Sequence, residues 1–380
     1  MNAAASSQAA PLIAAMDGIR AFGSAHRYYQ GPGALRLAGE LAASLGRQPL
    51  LVCDRIVHGL AWATASAACA SQGATLRWVE VEGDVTRAAV RKLVALAQEG
   101  GHAPDVVLAA GGGKGVDTGK AVAREIGAKL LIVPTSASND GPCSRSFVFY
   151  DDRHRMESVE HMARNPDVVL VDTELLVRAP RTLLVSGIGD ALCKLYEGRQ
   201  TRIAQGRNLF GGINTIAAEQ ISIACDRVIR ADAVPALAAL PTGKPNDAFE
   251  RLTEALVLLS GLAFENSGLS LAHSITRGLP LIPSIATTLH GLQVGYGLLV
   301  QFLLERRDDA FMKEQFTFYR SVGLAVNLAG LNAPDASAAT IATIAQGTMT
   351  SPHLKHFERP LGAADFVDAM TRLERLAAAP

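Results

Sequence analysis

The chain has 380 residues, 49% of them hydrophobic, and its 36 basic and 36 acidic side chains give a formal net charge of zero. This length allows two domains with full cores, and the balanced charge gives no reason to expect a nucleic-acid or membrane partner. No apolar run is long enough to span a bilayer, and five scattered cysteines without a CxxC pair indicate free thiols. We therefore expect a soluble, cytoplasmic protein.

The first part of the chain alternates strand and helix patterns after an N-terminal extension, residues 1–26. Helices are predicted at 35–45, 61–73 and 86–99. Strands are predicted at 27–34, 49–54, 75–81, 106–110, 129–134, 147–150 and 168–172, with residues 151–154 as a polar hairpin end between the last two. This alternation predicts a doubly wound parallel sheet, in which ligands bind beyond the carboxyl ends of the strands.

A glycine-rich turn stands at the centre of this part, in the segment DVVLAAGGGKGVDTGKAVA at 105–123. Glycines 111, 112 and 113 lack a Cβ, so their amides can approach a ligand closely, and the helix that follows directs its positive dipole end the same way. The turn suits a diphosphate, although it matches neither the Walker pattern nor GxGxxG. A purely structural turn is the alternative.

Two further polar features follow predicted strands. Asp54 ends the strand at 49–54, where an acid can bind both ribose hydroxyls and repel a 2′-phosphate, which favours NAD over NADP. The loop TSASNDGPCS at 135–144 is crowded with hydroxyl groups and can hydrogen-bond a nucleotide or a substrate. Both features are also typical of ordinary turns.

Helical patterns replace strand patterns after Pro180. Helices are predicted at 183–200, 211–229, 248–264, 291–305 and 311–322. We therefore divide the chain into an NAD-binding Rossmann-like domain, 27–178, and an all-helical metal-binding domain, 179–380. The aliphatic faces of residues 291–304 and the N-terminal extension would suit self-association.

Three residues of the helical part form a candidate metal site. Asp190, His273 and His290 each stand in an apolar setting beside glycine, where an unpartnered polar group costs free energy. Two imidazoles and a carboxylate with an open fourth position suit catalytic zinc or ferrous iron. Taken one at a time, such residues are more often helix caps or hydrogen-bonded core histidines than metal ligands.

An ordered series of motifs gives the chain a family resemblance from about residue 27 to 304. The motifs are QGPGAL, GGGKGVDTGKAVA, VPTSASND, NPDVVLVDTELLVRAP, GIGDALCKLYE, LAHSITRG and LHGLQVGYG. Together they resemble glycerol dehydrogenases of the iron-containing (group III) alcohol dehydrogenase superfamily. The resemblance implies an α/β N-terminal Rossmann-like domain, an all-α C-terminal domain, and an active site in the cleft between them.

The resemblance also implies roles for individual residues. Asp190, His273 and His290 fall on the metal ligands, with zinc expected ahead of iron, and Asp140 and Phe264 fall on substrate contacts. The implied NAD contacts are Asp54, Gly111, Gly112, Gly113, Lys114, Gly115, Thr135, Ser138, Ser144, Ser146 and Tyr150. The implied reaction is metal-dependent hydride transfer between NAD(H) and a small polyol or hydroxyketone, in a homo-oligomer that is a dimer or an octamer.

The chain departs from the glycerol dehydrogenase pattern beside both histidines. Thr276, Arg277 and Gly278 stand where the family usually has a second His and Asn-Gly, and Leu292 and Gln293 stand where it has Glu-Lys. These departures leave open whether glycerol is the substrate. Arg277, one helical turn after His273, motivates the hypothesis of an anionic substrate; a solvent-facing or interface arginine is the alternative.

Two other functions remain open from the sequence. A dehydroquinate synthase-like cyclase would share the fold and both cofactors, but it usually has Glu as the first metal ligand and a basic cluster for the substrate phosphate. A catalytically silent binding protein would need a damaged ligand set or glycine loop, and the sequence shows neither. Net NADH production from a diol separates the dehydrogenase from the cyclase, which returns its hydride.

Overall fold

The computed structural model describes residues 18–152 and 155–378, so most of the predicted N-terminal extension and two residues of the predicted hairpin turn lie outside the described residues. The strands are β1 (Tyr28–Gly31), β2 (Pro49–Cys53), β3 (Arg77–Glu80), β4 (Val106–Gly111), β5 (Lys129–Pro134), β6 (Ser146–Tyr150), β7 (Met156–His161) and β8 (Val168–Asp172). The helices of the first half are α1 (Ala38–Ala43), α2 (Arg55–Ser71), α3 (Arg87–Ala97), α4 (Gly113–Ile126) and α5 (Thr173–Leu176).

Helices make up the second half. They are α6 (Arg181–Leu192), α7 (Lys194–Ile203), α8 (Ile216–Leu237), α9 (Asp247–Glu254), α10 (Ser260–Ser267), α11 (Leu271–Ile275), α12 (Pro283–Ala286), α13 (His290–Leu304), α14 (Asp309–Val322), α15 (Ala338–Thr348) and α16 (Ala363–Ala378). Sequence periodicity missed α11, α12, α15 and α16. A π-helical segment, Ala255–Leu259, joins α9 to α10 within the range predicted as one helix.

The first half is built on a six-stranded parallel sheet with the order β1-β8-β5-β4-β2-β3. Strands β2, β4 and β8 are buried along their whole length, which explains why they read as unbroken apolar runs. In the register of β4 and β5, Gly111 lies beside Pro134. The glycine turn and the loop after β5 therefore leave the sheet at the same edge, and the predicted fold class is confirmed.

The sequence analysis predicted a hairpin between the strands at 147–150 and 168–172, and this pairing is wrong. Strand β6 pairs in antiparallel fashion with β7, which the sequence analysis missed, whereas β8 belongs to the large sheet. Strand β7 reads MESVEH and none of its residues is buried, so it lacks the apolar run that marked the other strands. Helix α2 also begins earlier than predicted, at Arg55, because the Asp54 side chain accepts a hydrogen bond from the Val57 amide at 2.8 Å.

Helix α13 lies inside the helical half. Apart from His290 and Leu292, every one of its residues is buried, against α6, α11 and α16 among others. The expectation that residues 291–304 offer a face for self-association is therefore wrong, because that face is already covered by the chain itself.

Glycines bring α6 close to its neighbours. A Cβ on Gly187 would lie 1.9 Å from the carbonyl oxygen of Ala137, and one on Gly291 would lie 1.8 Å from that of Ser186. The Ser186 hydroxyl completes the contact, donating to the Ser138 carbonyl at 3.1 Å and accepting from the Gly291 amide at 3.2 Å. This backbone-to-backbone packing holds α6 between the loop after β5 and the start of α13.

All five cysteines are free, as predicted from their spacing, and the structure shows that all five are buried. Within the described ranges no single helix is long and apolar enough to cross a membrane. The segments Asp247–Ser267 and Leu271–Leu281, bent by 92°, together meet the length and composition criteria.

Candidate active site

A cavity of about 1440 Å³ opens at the carboxyl edge of the sheet and continues into the helical half. Nearly all the predicted site residues line it, from Asp54 on the sheet side to His290 on the helical side. The exceptions are Gly111 and Asp190. Each is next to a lining residue: Gly111 precedes Gly112, and Asp190 accepts a hydrogen bond from the Asp140 amide. The tertiary structure thus brings the predicted cofactor loop and the predicted metal ligands to one cavity.

The glycine turn forms a close-fitting cradle in the cavity wall. Strand β4 ends at Gly111, whose φ of +149° favours glycine, and α4 begins two residues later. A Cβ on Gly113 would lie 2.9 Å from the Asn139 side chain, and one on Gly112 would lie 3.3 Å from the Ser136 hydroxyl. A Cβ on Gly115 would lie 2.6 Å from the Ala110 carbonyl oxygen, so backbone packs closely against backbone here. The turn can therefore offer amides and a helix N-terminus to a diphosphate.

The other predicted nucleotide contacts differ in what their side chains can offer. Lys114 lines the cavity, and its ammonium group forms an ion pair with Asp84. Ser146 is hydrogen-bonded to His161 at 3.0 Å, and Ser144 donates to the Gly141 carbonyl at 3.2 Å. Thr135, Ser138 and Tyr150 lie in the cavity wall.

A buried lysine holds the loop after β5. Lys120 has no exposed surface, and its ammonium group donates to the carbonyl oxygens of Gly141 and Ser146, both at 2.7 Å. Sequence analysis gave this residue no role, because nothing in its own segment indicates that the side chain of an α4 lysine turns inward. Lys120 ties the cofactor loop to the hairpin.

Replacing Lys120 with methionine should lower the free energy of unfolding by about 2–4 kcal/mol, because the Gly141 and Ser146 carbonyl groups each lose a short hydrogen bond from a buried ammonium group. Urea unfolding followed by circular dichroism measures this change. Lys92→Met is the matched control, because Lys92 forms only an exposed ion pair with Glu82 at 3.2 Å. Equal stability of the two variants would contradict the structural role of Lys120.

The three predicted metal ligands converge although they are far apart in sequence. One donor atom from each of Asp190, His273 and His290 lies within 4.8 Å of the other two. The His273 Nε2 is 3.5 Å from the Asp190 carboxylate, and the two imidazole ring centroids are 5.5 Å apart. A carboxylate and two imidazoles at this spacing fit a divalent cation such as zinc or ferrous iron, with an open side toward the cavity.

Asp190 is held in place by a fully buried lysine. The ammonium group of Lys194 is 3.1 Å from Asp190 Oδ1 and 2.7 Å from Asp140 Oδ2, and the Asp140 amide donates to Asp190 Oδ2 at 3.2 Å. Burial alone would raise the pKa of Asp190, but Lys194, His273 and His290 together lower it. The Asp190 carboxylate therefore stays ionised, as a metal ligand must.

His273 is oriented by a buried carboxylate that the sequence analysis missed. Glu197 Oε2 is 2.6 Å from His273 Nδ1, and Oε1 accepts from the backbone amides of Ser270 at 2.8 Å and His273 at 2.9 Å. With Nδ1–H donated to Glu197, the Nε2 lone pair of a neutral imidazole points to the candidate metal position. The available signal was helical spacing, since Glu197 follows Asp190 by about two turns.

A second group of donors also meets at His273 but is a poorer metal site. Cys193 and Glu197 approach the Nδ1 side of that ring, with the Cys193 sulfur at 3.7 Å. Burial raises the pKa of Cys193 to about 12, so its thiol stays protonated. Neither residue lines the cavity, so a cation held there would lie away from any substrate.

The remaining predicted residues lie around the candidate metal site. Asp140 and Phe264 line the cavity, and the Phe264 ring centroid is 5.5 Å from the Lys194 ammonium. Burial and the neighbouring Asp190 carboxylate raise the pKa of Asp140. Arg277 also lines the cavity, half-buried, on the wall that carries His273.

Known proteins resemble the chain in both sequence and structure. The family model described as "Iron-containing alcohol dehydrogenase" matches residues 25–173. A glycerol dehydrogenase of Pseudomonas putida is 33% identical over 313 residues, 82% of this chain and 85% of its own length. A glycolaldehyde reductase of Halobacterium salinarum is 32% identical, over 89% of this chain and 92% of its own length.

A solved structure described as a probable glycerol dehydrogenase from Sinorhizobium meliloti superposes with a TM-score of 0.87 and 34% identity. The superposition covers 94% of this chain and 99% of that one. Both the sequence relatives and the structural neighbour extend over the sheet and the helical half. The chain therefore belongs to the iron-containing alcohol dehydrogenase superfamily, as a glycerol dehydrogenase-like oxidoreductase.

Proposed function

We propose that the protein interconverts a small polyol or vicinal diol and its hydroxyketone. The reaction uses NAD(H) and one divalent metal ion, which we expect to be zinc rather than iron. The observation that carries this proposal is the convergence of Asp190, His273 and His290 on the cavity that also holds the glycine turn. The polyol and hydroxyaldehyde named for the relatives from Pseudomonas putida and Halobacterium salinarum support this substrate class.

In this proposal the sheet side of the cavity holds the cofactor. The amides of Gly111 to Gly115 bind the diphosphate, and Asp54 binds the ribose through Oδ2, since Oδ1 caps α2 and the described residues leave Oδ2 without a hydrogen bond. Thr135, Ser138, Ser144, Ser146 and Tyr150 surround the nucleotide. The Asp54 charge disfavours the 2′-phosphate of NADP.

The helical side of the cavity holds the metal and the substrate. Lys194 keeps Asp190 ionised, Glu197 orients His273, and Phe264 provides an apolar wall that limits water. Asp140 can accept a hydrogen bond from a second substrate hydroxyl. When bound, the metal would supply a Lewis acid for the substrate oxygen, and NAD would supply the hydride acceptor.

Treatment with a chelator tests this function. The protein as purified should produce NADH from NAD⁺ and a 1,2-diol, and removal of the metal should lower the rate by about a hundredfold or more, because the Lewis acid contributes several kcal/mol. Adding back Zn²⁺ or Fe²⁺ should restore it and identify the metal. Accumulation of NADH also excludes a cyclase, because a cyclase returns its hydride. If fully metal-loaded protein produces no NADH from a diol, the proposed function is contradicted.

We further propose a cytoplasmic homo-oligomer, either a dimer or an octamer. The five buried free thiols suit a reducing compartment, and exposed Ile19 and Phe22 offer apolar surface to a second copy. Light scattering on the purified protein gives the number of subunits directly.

A further inference from the structure

The cavity wall around His273 has an unusual charge composition. Arg277, His353, Lys355 and His356 all lie in it, and none of the described residues after 264 that line the cavity is acidic. The acidic lining residues, Asp54, Asp117, Asp140 and Glu157, all come from the first half of the chain. One wall of the substrate end of the cavity therefore has basic and imidazole groups without acidic counterparts.

Arg277 is the main cation of this wall. It follows His273 by four residues, in the turn after α11, where its amide donates to the Ser274 carbonyl at 3.1 Å. Both His273 and Arg277 line the cavity. The side chain is half-buried, yet its guanidinium group makes no hydrogen bond or ion pair with any described residue. Other partly buried arginines are paired: Arg145 donates to the Leu209 carbonyl at 2.7 Å, and Arg230 to Asp226 at 3.0 Å.

A half-buried guanidinium without a partner is unfavourable, since it has lost part of its hydration and gained no hydrogen bond in return. Burial accordingly lowers the pKa of Arg277. Its planar group presents paired donors that match a carboxylate, a sulfonate or a phosphate. The missing partner is therefore expected to be an anion that enters the cavity.

A second donor stands on the same wall. The segment Ser351–His356 is attached to the α11 region, because the Ser351 hydroxyl donates to that of Ser274 at 3.0 Å and the Ser270 hydroxyl donates to the His356 carbonyl at 2.5 Å. This attachment places His353 in the cavity wall, where its ring has no hydrogen bond to a described residue. Burial lowers the pKa of His353 to about 3, so at neutral pH the ring is uncharged and has one N–H to donate.

His356 and Lys355 are less suited to bind an anion in a fixed position. The His356 Nδ1 donates to the Leu269 carbonyl at 2.8 Å, so that ring is already held by the protein. Lys355 is exposed at the edge of the wall and adds positive charge without a fixed position. The directed donors that remain are the Arg277 guanidinium and the His353 imidazole.

We propose that Arg277 and His353 bind a carboxylate, sulfonate or phosphate group of the substrate, one or two carbons from the carbon that exchanges hydride. This inference rests on the proposed function and narrows its substrate class to small anionic hydroxy compounds and their carbonyl forms. The anionic group takes no part in the redox step: the carbinol carbon gives a hydride to NAD⁺, and its hydroxyl proton leaves to solvent. The cofactor diphosphate is not the partner, because its cradle lies in the opposite, sheet-side wall.

Matched aldehydes of the form X–CH₂–CHO test the proposal on metal-loaded protein with NADH. The neutral member is glycolaldehyde, and the anionic members are sulfoacetaldehyde, glycolaldehyde phosphate and succinic semialdehyde, which separate sulfonate, phosphate and carboxylate. Wild type should show a higher kcat/KM for at least one anionic aldehyde than for glycolaldehyde. Arg277→Gln should lower that value about 10- to 100-fold, as expected for loss of a charge-assisted hydrogen bond, and change the glycolaldehyde value by less than about threefold.

Two further variants separate a specific contact from general charge. Arg277→Lys keeps the charge without the planar donor pair and should recover part of the loss. Arg178→Gln removes an equal charge from an exposed arginine in the same cavity and should leave the ratio of anionic to neutral kcat/KM unchanged. Equal losses for anionic and neutral aldehydes in Arg277→Gln, or no anionic preference in wild type, would overturn the proposal.

A binding measurement keeps this test independent of turnover. Calorimetric titration of NADH-saturated protein with ethanesulfonate should show binding that is weaker by at least about tenfold in Arg277→Gln and absent with the neutral ethanesulfonamide. If glycolaldehyde and diols are turned over but ethanesulfonate does not bind, the proposed function stands and the anion site fails. If ethanesulfonate binds through Arg277 but no NAD-linked turnover occurs, the proposed function fails and the anion site stands.

Discussion

Replacing His290 with alanine is expected to lower kcat/KM for the best substrate by about a thousandfold or more, because a metal Lewis acid contributes several kcal/mol to such reactions. His290 is the first residue of α13 and lines the cavity, so the substitution removes a candidate ligand without opening a hole in the core. Elemental analysis of the purified variant should show loss of bound metal at the same time.

The control for this prediction is His102→Ala, because His102 is exposed and lies outside the cavity lining. The His290→Ala protein should still bind NADH, since the glycine turn lies on the other wall, and its thermal midpoint should stay close to that of wild type. A His290→Ala protein that retains both a full complement of metal and wild-type activity would rule out His290 as a ligand.

Replacing Glu197 with glutamine should weaken metal binding about 10- to 100-fold, the usual range for losing the hydrogen-bond partner of a metal-bound histidine. Burial alone would raise the pKa of Glu197, but His273 and Lys194 together lower it to about 2, so the side chain is an ionised acceptor with no exposed surface. A glutamine amide must direct its NH₂ either at His273 Nδ1–H or at the two backbone amides that Glu197 now accepts from. In either orientation the glutamine NH₂ faces another hydrogen-bond donor, so a hydrogen bond that Glu197 now accepts is lost.

A direct titration with Zn²⁺ measures the metal affinity of this variant, and activity should recover at high metal concentration. Glu265→Gln is the matched control: Glu265 is also fully buried and accepts from the Arg145 amide at 2.8 Å, but it makes no contact with the metal ligands. This control can lose stability while its metal affinity remains that of wild type. If the Glu197 and Glu265 variants bind metal equally well, Glu197 does not act through His273.

The two predictions address different parts of one arrangement. His290 reaches the candidate metal position directly, whereas Glu197 acts by fixing which nitrogen of His273 is free. Lys194 has a similar indirect role, because its ammonium group lies between Asp190 and Asp140 at 3.1 and 2.7 Å. The site therefore consists of three candidate ligands and at least two buried groups that hold them.

The sequence by itself determined the parts that depend on local properties. Strands β2, β4, β5 and β8 were predictable because strands covered on both faces read as short apolar runs, and the glycine turn was predictable because only glycine allows that backbone approach. The ordered motifs also predicted the family and the three candidate ligands. Strand β7 was missed because its polar residues have no such run, and α11 because five residues are too few to show a helical period.

Only the tertiary structure decided which side chains meet. Three contacts join separate elements: Glu197 with His273, Lys194 with Asp140, and Lys120 with carbonyl oxygens of the loop after β5 and of β6. The lack of a partner for Arg277 is likewise a property of the folded chain, since pairing depends on what packs nearby. Local sequence sets the conformation of a segment, but the ionisation, orientation and accessibility of a buried group depend on neighbours brought by distant parts of the chain.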